Sequence, residues 1–263
     1  MRLTICMMLV MARLGSAQGV NAPVAGIVLD DANRLVPVHG VFGNLLRGKP
    51  ITLPAGSKGA LVSASFSDNS GLLKSASAFV ITDGSGQEQS SEQATDGGSA
   101  MASFASNGSL QWFCAGACIT LQTPQGATVS TAIAGGTVVA LGATTAQSIS
   151  LLTSSGTQLW SSSLSTAAQS ISDQLAVSGA TPAMGFNGGW LTTSATGLIW
   201  TAPNGATTPI RIPSPVQTLQ ASGSRTVSIN ARWMINGALQ LLEIPVRPQV
   251  PPKPRTLPVL VTR

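Results

Sequence analysis

The sequence predicts an all-β fold assembled from repeated strand–turn–strand units, and three observations predict it. Charged residues are only 9% of the 263-residue chain, while glycine occupies 28 positions. That composition is too poor in charged faces for long amphipathic helices and suits short strands joined by tight turns. A phrase of strand, small polar turn and strand recurs along the chain. A second such phrase, offset from the first, recurs once.

In chain order, the opening "MRLTICMMLVMARLGSAQG" carries a basic residue, an apolar run and small residues before Gln18. Residues 1–17 therefore read as a secretory signal peptide, with a buried N-terminal helix as the alternative. The run is too short to span a membrane, so no membrane span is expected after cleavage, and the chain is expected to be secreted or periplasmic. The first phrase then appears as "IVLDDANRLVPV" (27–38), "VITDGSGQE" (80–88), "TLQTPQGATV" (120–129), "LLTSSGTQLW" (151–160), "LTTSATGLIW" (191–200) and "MINGALQLL" (234–242). The second appears as "SASFSDNSGLL" (63–73) and "MASFASNGSLQW" (101–112). Between Asn33, Gly86, Gly126, Gly156, Gly197 and Gly237 the spacings are 53, 40, 30, 41 and 40 residues.

Two turn types alternating in a period near forty imply about four strands per repeat, which is the habit of a β-propeller blade. The expectation is a single β-propeller over residues 18–245 with six blades of four antiparallel strands. The uneven spacings also allow five or seven blades, and a β-sandwich is the alternative architecture. Counted this way the chain starts in mid-repeat, so strands from Val24 to Leu53 are expected to pair with the repeat around 214–245. Trp112, Trp160, Trp190, Trp200 and Trp233 are the large residues available to fill seams between blades.

Two segments differ from the repeats. "TDGSGQEQSSEQATDGGSA" (82–100) holds four of the nine carboxylates and reads as a long blade-edge loop, compatible with a calcium site but without EF-hand spacing. Residues 246–263 form a basic tail with five prolines, expected to start as polyproline II or unstructured chain. Its "PVLVT" could add as a strand to an open blade. Export leaves Cys114 and Cys118, flanking "AGA" in "QWFCAGACITL", as candidates for a disulfide across a short hairpin. Free buried thiols or a redox or metal role are the alternatives. So small a loop contributes only about 1–2 kcal/mol.

The phrases "SSGTQLW" and "SNGSLQW" resemble the Gly-x-x-x-Trp repeat of quinoprotein-type propellers. "SFSDNSGLL" is similar to the Ser-Pro-Asp-Gly turn of TolB and WD40-like propellers, although its proline is missing. The resemblance spans roughly residues 24–246 and implies the propeller architecture. Quinoprotein enzymes carry adjacent paired cysteines and a carboxylate-lined calcium and quinone site. Here the cysteines are four apart, so that activity is not implied.

Charge and residue inventory narrow the function. The formal charge is +5, but six of the 14 basic residues lie in the first 17 or last 20 positions. Eight basic residues then face nine acidic ones, without the basic body that nucleic-acid binding needs. His39 is the only histidine. Any Ser/His/Asp triad must use it, and no nucleophile-elbow phrase exists. Carboxylate pairs for glycoside hydrolysis could draw only on Asp30, Asp31, Asp68, Asp173, Glu243 or the acidic stretch. Catalytic, cofactor-binding and metal-binding residues are therefore expected to be none. The expected role is a monomeric, non-catalytic binding or scaffold module for an unknown protein or glycan partner. The alternatives are a propeller enzyme acting on glycans or small molecules, and a lectin. Four or more polar side chains gathered at one axial mouth favour the enzyme, a featureless mouth the scaffold, and exposed repeat-equivalent tryptophans the lectin.

Overall fold

The computed structural model describes residues 22–57 and 59–245; the expected signal peptide, Cys6 and the proline-rich tail lie outside these residues. The described chain forms 23 strands and one 3-10 turn at Ala132–Ala134. The strands fall into six consecutive antiparallel meanders. The first is β1 (Val24–Leu29), β2 (Leu35–Val41) and β3 (Asn44–Arg47). The second is β4 (Leu61–Phe66), β5 (Ser70–Ser75), β6 (Ala78–Asp83) and β7 (Glu88–Gln93). The third is β8 (Ala100–Phe104), β9 (Leu110–Ala115), β10 (Thr120–Gln122) and β11 (Thr128–Ser130). The fourth is β12 (Thr137–Thr144), β13 (Ser148–Ser155), β14 (Gln158–Ser165) and β15 (Ile171–Val177). The fifth is β16 (Ala180–Phe186), β17 (Gly189–Ser194), β18 (Gly197–Thr201) and β19 (Thr207–Arg211). The sixth is β20 (Leu219–Gly223), β21 (Thr226–Ile229), β22 (Trp233–Asn236) and β23 (Leu241–Glu243).

Each sheet buries apolar residues on both faces, and the buried residues sort into six clusters, one per neighbouring pair. Ile27 and Leu35 pack on Leu61, Phe66 and Leu73 between the first and second meanders. Leu72, Phe79 and Ile81 meet Leu110 and Phe113 between the second and third. Leu121 and Val129 meet Leu141, Ile149 and Leu164 next, and Leu152, Leu159 and Val177 meet Trp190 after them. Leu191 and Leu198 pack against Val227, Ile229 and Ile235. The last cluster joins Met234 and Ile244 back to Val28, Val36, Val38 and Leu45 of the first meander. Six seams closing on the starting sheet make the fold a β-propeller. Closure covers sheet faces that would otherwise be exposed apolar surface.

Three expectations about strands need correction. The first blade has three strands, not four. Its strands do not pair with the C-terminal repeat: β1, β2 and β3 form their own sheet. They meet blade 6 through the side-chain seam and through three hydrogen bonds, from Leu29 N to Gln220 Oε1 (3.1 Å), Thr226 Oγ1 to Ala25 O (3.1 Å) and Arg47 Nη2 to Ala231 O (2.5 Å). The backbone closure runs elsewhere, through a parallel bridge of Ser222 with Phe66 that joins β20 to β4. Third, the acidic stretch is not a long loop. It supplies the end of β6, a turn and all of β7, whose side chains are mostly exposed, so an outer strand carries a polar sequence.

The tryptophans mostly occupy seams. Trp190 is buried and donates Nε1–H to Ser161 Oγ (2.8 Å). Half-buried Trp112, Trp200 and Trp233 pack against the third-to-fourth and fifth-to-sixth seams. Trp160 is half-buried on β14, opposite Thr153. Lys74 is 0% exposed on β5. Its ammonium donates to Ser75 O (2.6 Å) and Asp96 O (2.7 Å) and lies 5.4 Å from the centre of the Phe79 ring. These partners satisfy the charge and hold the link between blades 2 and 3.

Candidate functional site: the axial cavity and its mouth

The innermost strands are built from small residues because they converge. On β8, β12 and β16 runs such as "AMAS", "ALGAT" and "AMGF" leave room for neighbouring backbones. A Cβ on Gly185 would sit 2.4 Å from Gly142 Cα, so β16 and β12 approach as only glycine permits. Ser103 Oγ bridges from β8 to Gly142 O (2.6 Å).

The turns that follow these strands are tied together at one mouth. Ser224 N donates to Asp68 Oδ1 and Asp68 N to Ser224 Oγ, both at 3.1 Å, joining blades 6 and 2. Ser67 Oγ donates to Gly108 O, and Asn69 Nδ2 to Asn107 O (2.5 Å), joining blades 2 and 3. Asn187 Nδ2 donates to Gly237 O (2.6 Å), joining blades 5 and 6. Blades 2 and 6 thus meet directly, and the first blade packs behind them.

The resulting axial cavity has a volume of about 350 Å³ and is lined by residues of β4, β8, β12, β16, β20 and β21 with their turns. That volume lies at the lower end for small-molecule sites. Its walls carry the hydroxyls of Ser65, Ser67, Ser103, Ser106, Thr144, Ser224 and Thr226, the apolar Met101, Met184 and Phe186, and Asn187 near the rim. The charged lining residue is Arg225, which is exposed. No carboxylate, histidine or cysteine lines it. More than four polar side chains gather here, so the mouth is not featureless. It lacks a pair of groups that could pass a proton in either direction.

Of the ionisable residues singled out in the sequence, Asp68 stands at this mouth, its Oδ1 accepting from Ser224 N; the following ones lie elsewhere. His39 is on the middle strand of blade 1, with Nδ1 3.4 Å from Ala22 O. Asp30 closes the turn from β1 to β2: Oδ1 accepts from the backbone of Ala32 and Arg34, and Oδ2 from the Arg34 guanidinium at 2.7 and 2.9 Å. Burial pushes its pKa up, but the Arg34 side chain and the backbone donors outweigh that and hold it below the usual value. Asp83 caps its own turn. The hydrogen bond from Ser85 Oγ, with those from the backbone of Ser85 and Gln87, holds its pKa down against the opposing effect of burial. Glu88 Oε2 accepts from Gly56 N (2.9 Å), Asp96 Oδ1 from Gly98 N (2.8 Å), and Glu243 pairs with Arg232 (2.9 Å). Three of the four carboxylates of the acidic stretch, Asp83, Glu88 and Asp96, are therefore engaged by separate backbone groups. Among the described residues no three His, Cys, Asp or Glu side chains come together as a metal would need.

Cys114 and Cys118 form a disulfide with Cα atoms 5.3 Å apart. Cys114 lies on β9, while Cys118 sits in the turn beyond it with φ +47, its N donating to Ala115 O (3.2 Å). The bond therefore staples a turn rather than two opposed strand residues, and both cysteines are buried in the seam of blades 3 and 4. The sequence reading missed the mouth residues Asn187, Ser224 and Arg225. The only signal was the recurrence of small polar residues at each turn after a first strand.

No family model matches the chain, and no curated protein does. Among solved structures it is similar to PorZ, a surface component of the type-IX secretion system of Porphyromonas gingivalis, at 12% identity and a TM-score of 0.45 over 84% of this chain. The match covers 32% of PorZ, so the chain spans about a third of that protein. It is similar to a streptogramin B lyase at 11% identity and a TM-score of 0.45, covering 86% of this chain and 84% of the lyase. It is also similar to the Neurospora crassa Pan2 WD40 domain at 11% identity and a TM-score of 0.43, covering 79% and 86%.

Proposed function

We propose that the chain is an exported β-propeller that acts as a non-catalytic binding module, with the mouth around Asn187, Ser224 and Arg225 as its ligand surface. The observation that carries this reading is the chemistry of the axial cavity: its lining offers hydroxyls, an amide and one guanidinium, and the one carboxylate at its rim, Asp68, is engaged by Ser224 N rather than by a nucleophile. Such a wall donates and accepts hydrogen bonds and favours a polar ligand. It offers no route for general acid–base catalysis. Export is supported by the layout of residues 1–17 and by the paired cysteines, since disulfides persist in oxidising compartments. Among the described residues no helix is long and apolar enough to cross a membrane.

The polar count at the mouth favours a second reading, a propeller enzyme acting on small molecules or glycans. The lectin reading draws no support from the tryptophans, all of which are buried or half-buried. The test is a comparison of purified wild-type protein with Arg225→Glu/Asn187→Ala in pull-downs from the exported fraction of the native source. The binding reading expects a captured component that the double variant loses while its melting behaviour is kept. Turnover of glycoside, ester or redox substrates that disappears in His39→Ala, with the fold preserved, overturns it.

A further inference from the structure

The chain carries four Asn-Gly pairs: Asn107-Gly108, Asn187-Gly188, Asn204-Gly205 and Asn236-Gly237. Each closes a first or last hairpin of its blade, so in antiparallel meanders all four lie on the side where the mouth opens. The turn dictates these residues, since asparagine tolerates and glycine favours positive φ. Asn187 and Gly188 have φ of +51 and +73. The same pair is chemically labile. Glycine has no side chain to shield its backbone nitrogen, and that nitrogen can attack the side-chain carbonyl carbon of the preceding asparagine. The attack needs a nitrogen free of hydrogen bonds, an amide free to turn toward it, and water at the site.

Three of the four pairs are held against reaction. Gly108 N donates to Ala105 O (2.8 Å), and Asn107 Oδ1 accepts from Ser109 N (3.0 Å) and Ser109 Oγ (2.8 Å). Gly205 N donates to Ala202 O (2.9 Å), and Asn204 Oδ1 accepts from Ala206 N (3.0 Å). The Asn236 amide is held at both ends. Its Oδ1 accepts from Ala238 N (3.0 Å) and Gln240 N (3.1 Å), and its Nδ2 donates to Gln240 Oε1 (2.9 Å). Asn187 differs. Its amide has one bond, from Nδ2 to Gly237 O (2.6 Å). Its Oδ1 and Gly188 N have no hydrogen-bond partner among the described residues, and both residues are exposed to water.

We propose that Asn187 is a self-modification site, where loss of its amide turns a tie between blades 5 and 6 into a negative charge at the mouth. Gly188 N bonds to Asn187 Cγ and gives up its proton. The Cγ–Nδ2 bond breaks, and ammonia leaves with that proton. Water then opens the cyclic imide at either carbonyl, leaving aspartate or isoaspartate. No electrons are exchanged. The donor to Gly237 O is lost, and a carboxylate oxygen faces that carbonyl without a hydrogen to share. A Cβ on Gly237 would lie 3.4 Å from Asn187 Oδ1 and 3.6 Å from Arg225 Cβ, so the amide and the arginine stem flank the same glycine. The new charge arises beside an arginine that has no ion pair among the described residues. The assignment does not rest on what the mouth binds.

Incubation of the folded full chain in mildly alkaline buffer tests this, with chymotryptic peptides followed by mass spectrometry. Cleavage after Phe186 and Trp190 isolates the reacting pair. The expected result is the mass gain of amide-to-acid conversion at Asn187, in separable aspartate and isoaspartate forms. It should appear about 3- to 10-fold faster than at Asn107, Asn204 and Asn236, the factor that one lost hydrogen bond accounts for. Equal or slower conversion at Asn187 overturns the proposal. So does the same ranking in urea-denatured protein, because neighbouring sequence and not the fold then sets it. Hydrogen exchange of Asn187→Asp reads the consequence. The Leu239 amide, which donates to Asn236 O (2.9 Å) in the turn that Asn187 anchors, should exchange about 3-fold faster than in the unaltered protein, with blade 3 unchanged. Equal exchange at Leu239 contradicts the loss of the tie.

Discussion

Replacing Gly26 by alanine separates a closed ring from a row of sheets. Gly26 lies on β1 at a shift in its register with β2, but its φ is outside the left-handed region, so the backbone has no local need for glycine. In a free sheet the change is neutral or favourable by about 0.5–1 kcal/mol, because glycine loses more freedom on folding. In the ring a Cβ at this position lies 2.4 Å from Ser222 O and 3.0 Å from Ser222 C and Cβ. Ser222 is 196 positions away and pairs with Phe66 at the backbone closure, so the clash cannot be relieved by a flexible side-chain end. Overpacking of this kind costs about 1–3 kcal/mol. A clash this short with a backbone oxygen belongs in the upper half of that range, about 2–3 kcal/mol, so after the gain from replacing glycine the net loss is about 1–2.5 kcal/mol. For a domain of this size that lowers Tm by roughly 2–10 °C. Thermal unfolding followed by circular dichroism measures it. Gly97→Ala is the control, because nothing lies within 4 Å of a Cβ there, and it should stay within about 0.5 kcal/mol of the unaltered protein. An unchanged or raised Tm in Gly26→Ala refutes the close contact of blades 1 and 6.

Alkylation of unreduced exported protein should leave Cys114 and Cys118 unmodified by mass spectrometry, and replacing both by serine should cost about 1–2 kcal/mol in urea unfolding. Asp30→Asn should cost about 1 kcal/mol at pH 7, a modest value because Arg34 is largely exposed. Since the folded pKa of Asp30 is depressed, its contribution is present above the unfolded value near about 3.9 and fades as pH falls through the folded one. Unfolding curves of the two proteins should therefore converge below about pH 4, and a gap that widens on acidification contradicts the Asp30–Arg34 pairing. Trp190→Phe removes the bond to Ser161 Oγ from a buried site and should cost about 1–2 kcal/mol, whereas a neutral change would place the indole outside the seam.

The fold was readable because hairpins announce themselves through turn residues. "SFSDNSGLL" and "SFASNGSLQW" are the same first hairpin in blades 2 and 3, and "LLTSSGTQLW" and "LTTSATGLIW" are the same middle hairpin in blades 4 and 5. The uneven spacings arose because the chosen markers mix hairpins of different position. Asn33 closes a first hairpin, Gly156 and Gly197 close middle ones, and Gly86, Gly126 and Gly237 close last ones. Measured between first strands the spacing is steadier, at 37, 39, 37, 43 and 39 residues from Val24 to Leu219. The three-stranded first blade was not legible, because "GKPITLPAGSKG" reads equally well as strand or turn. β7 was misread because an outer strand exposed on its side chains has no apolar alternation to reveal it. The cavity was hidden for another reason: its rim is made of serines and asparagines that also serve every turn, and only their convergence distinguishes them.

That the first blade packs into seams with both blade 2 and blade 6 is the central claim, and native-state hydrogen exchange on Leu35→Ala/Val36→Ala tests it most directly. These two buried neighbours face opposite seams, Leu35 toward blade 2 and Val36 toward blade 6. The account predicts that protection falls at Leu61 and Leu73 on one side and also at Met234 and Ile235, about two hundred positions along the chain, on the other. Loss of protection confined to residues 24–53, with Met234 and Ile235 unchanged, would contradict it.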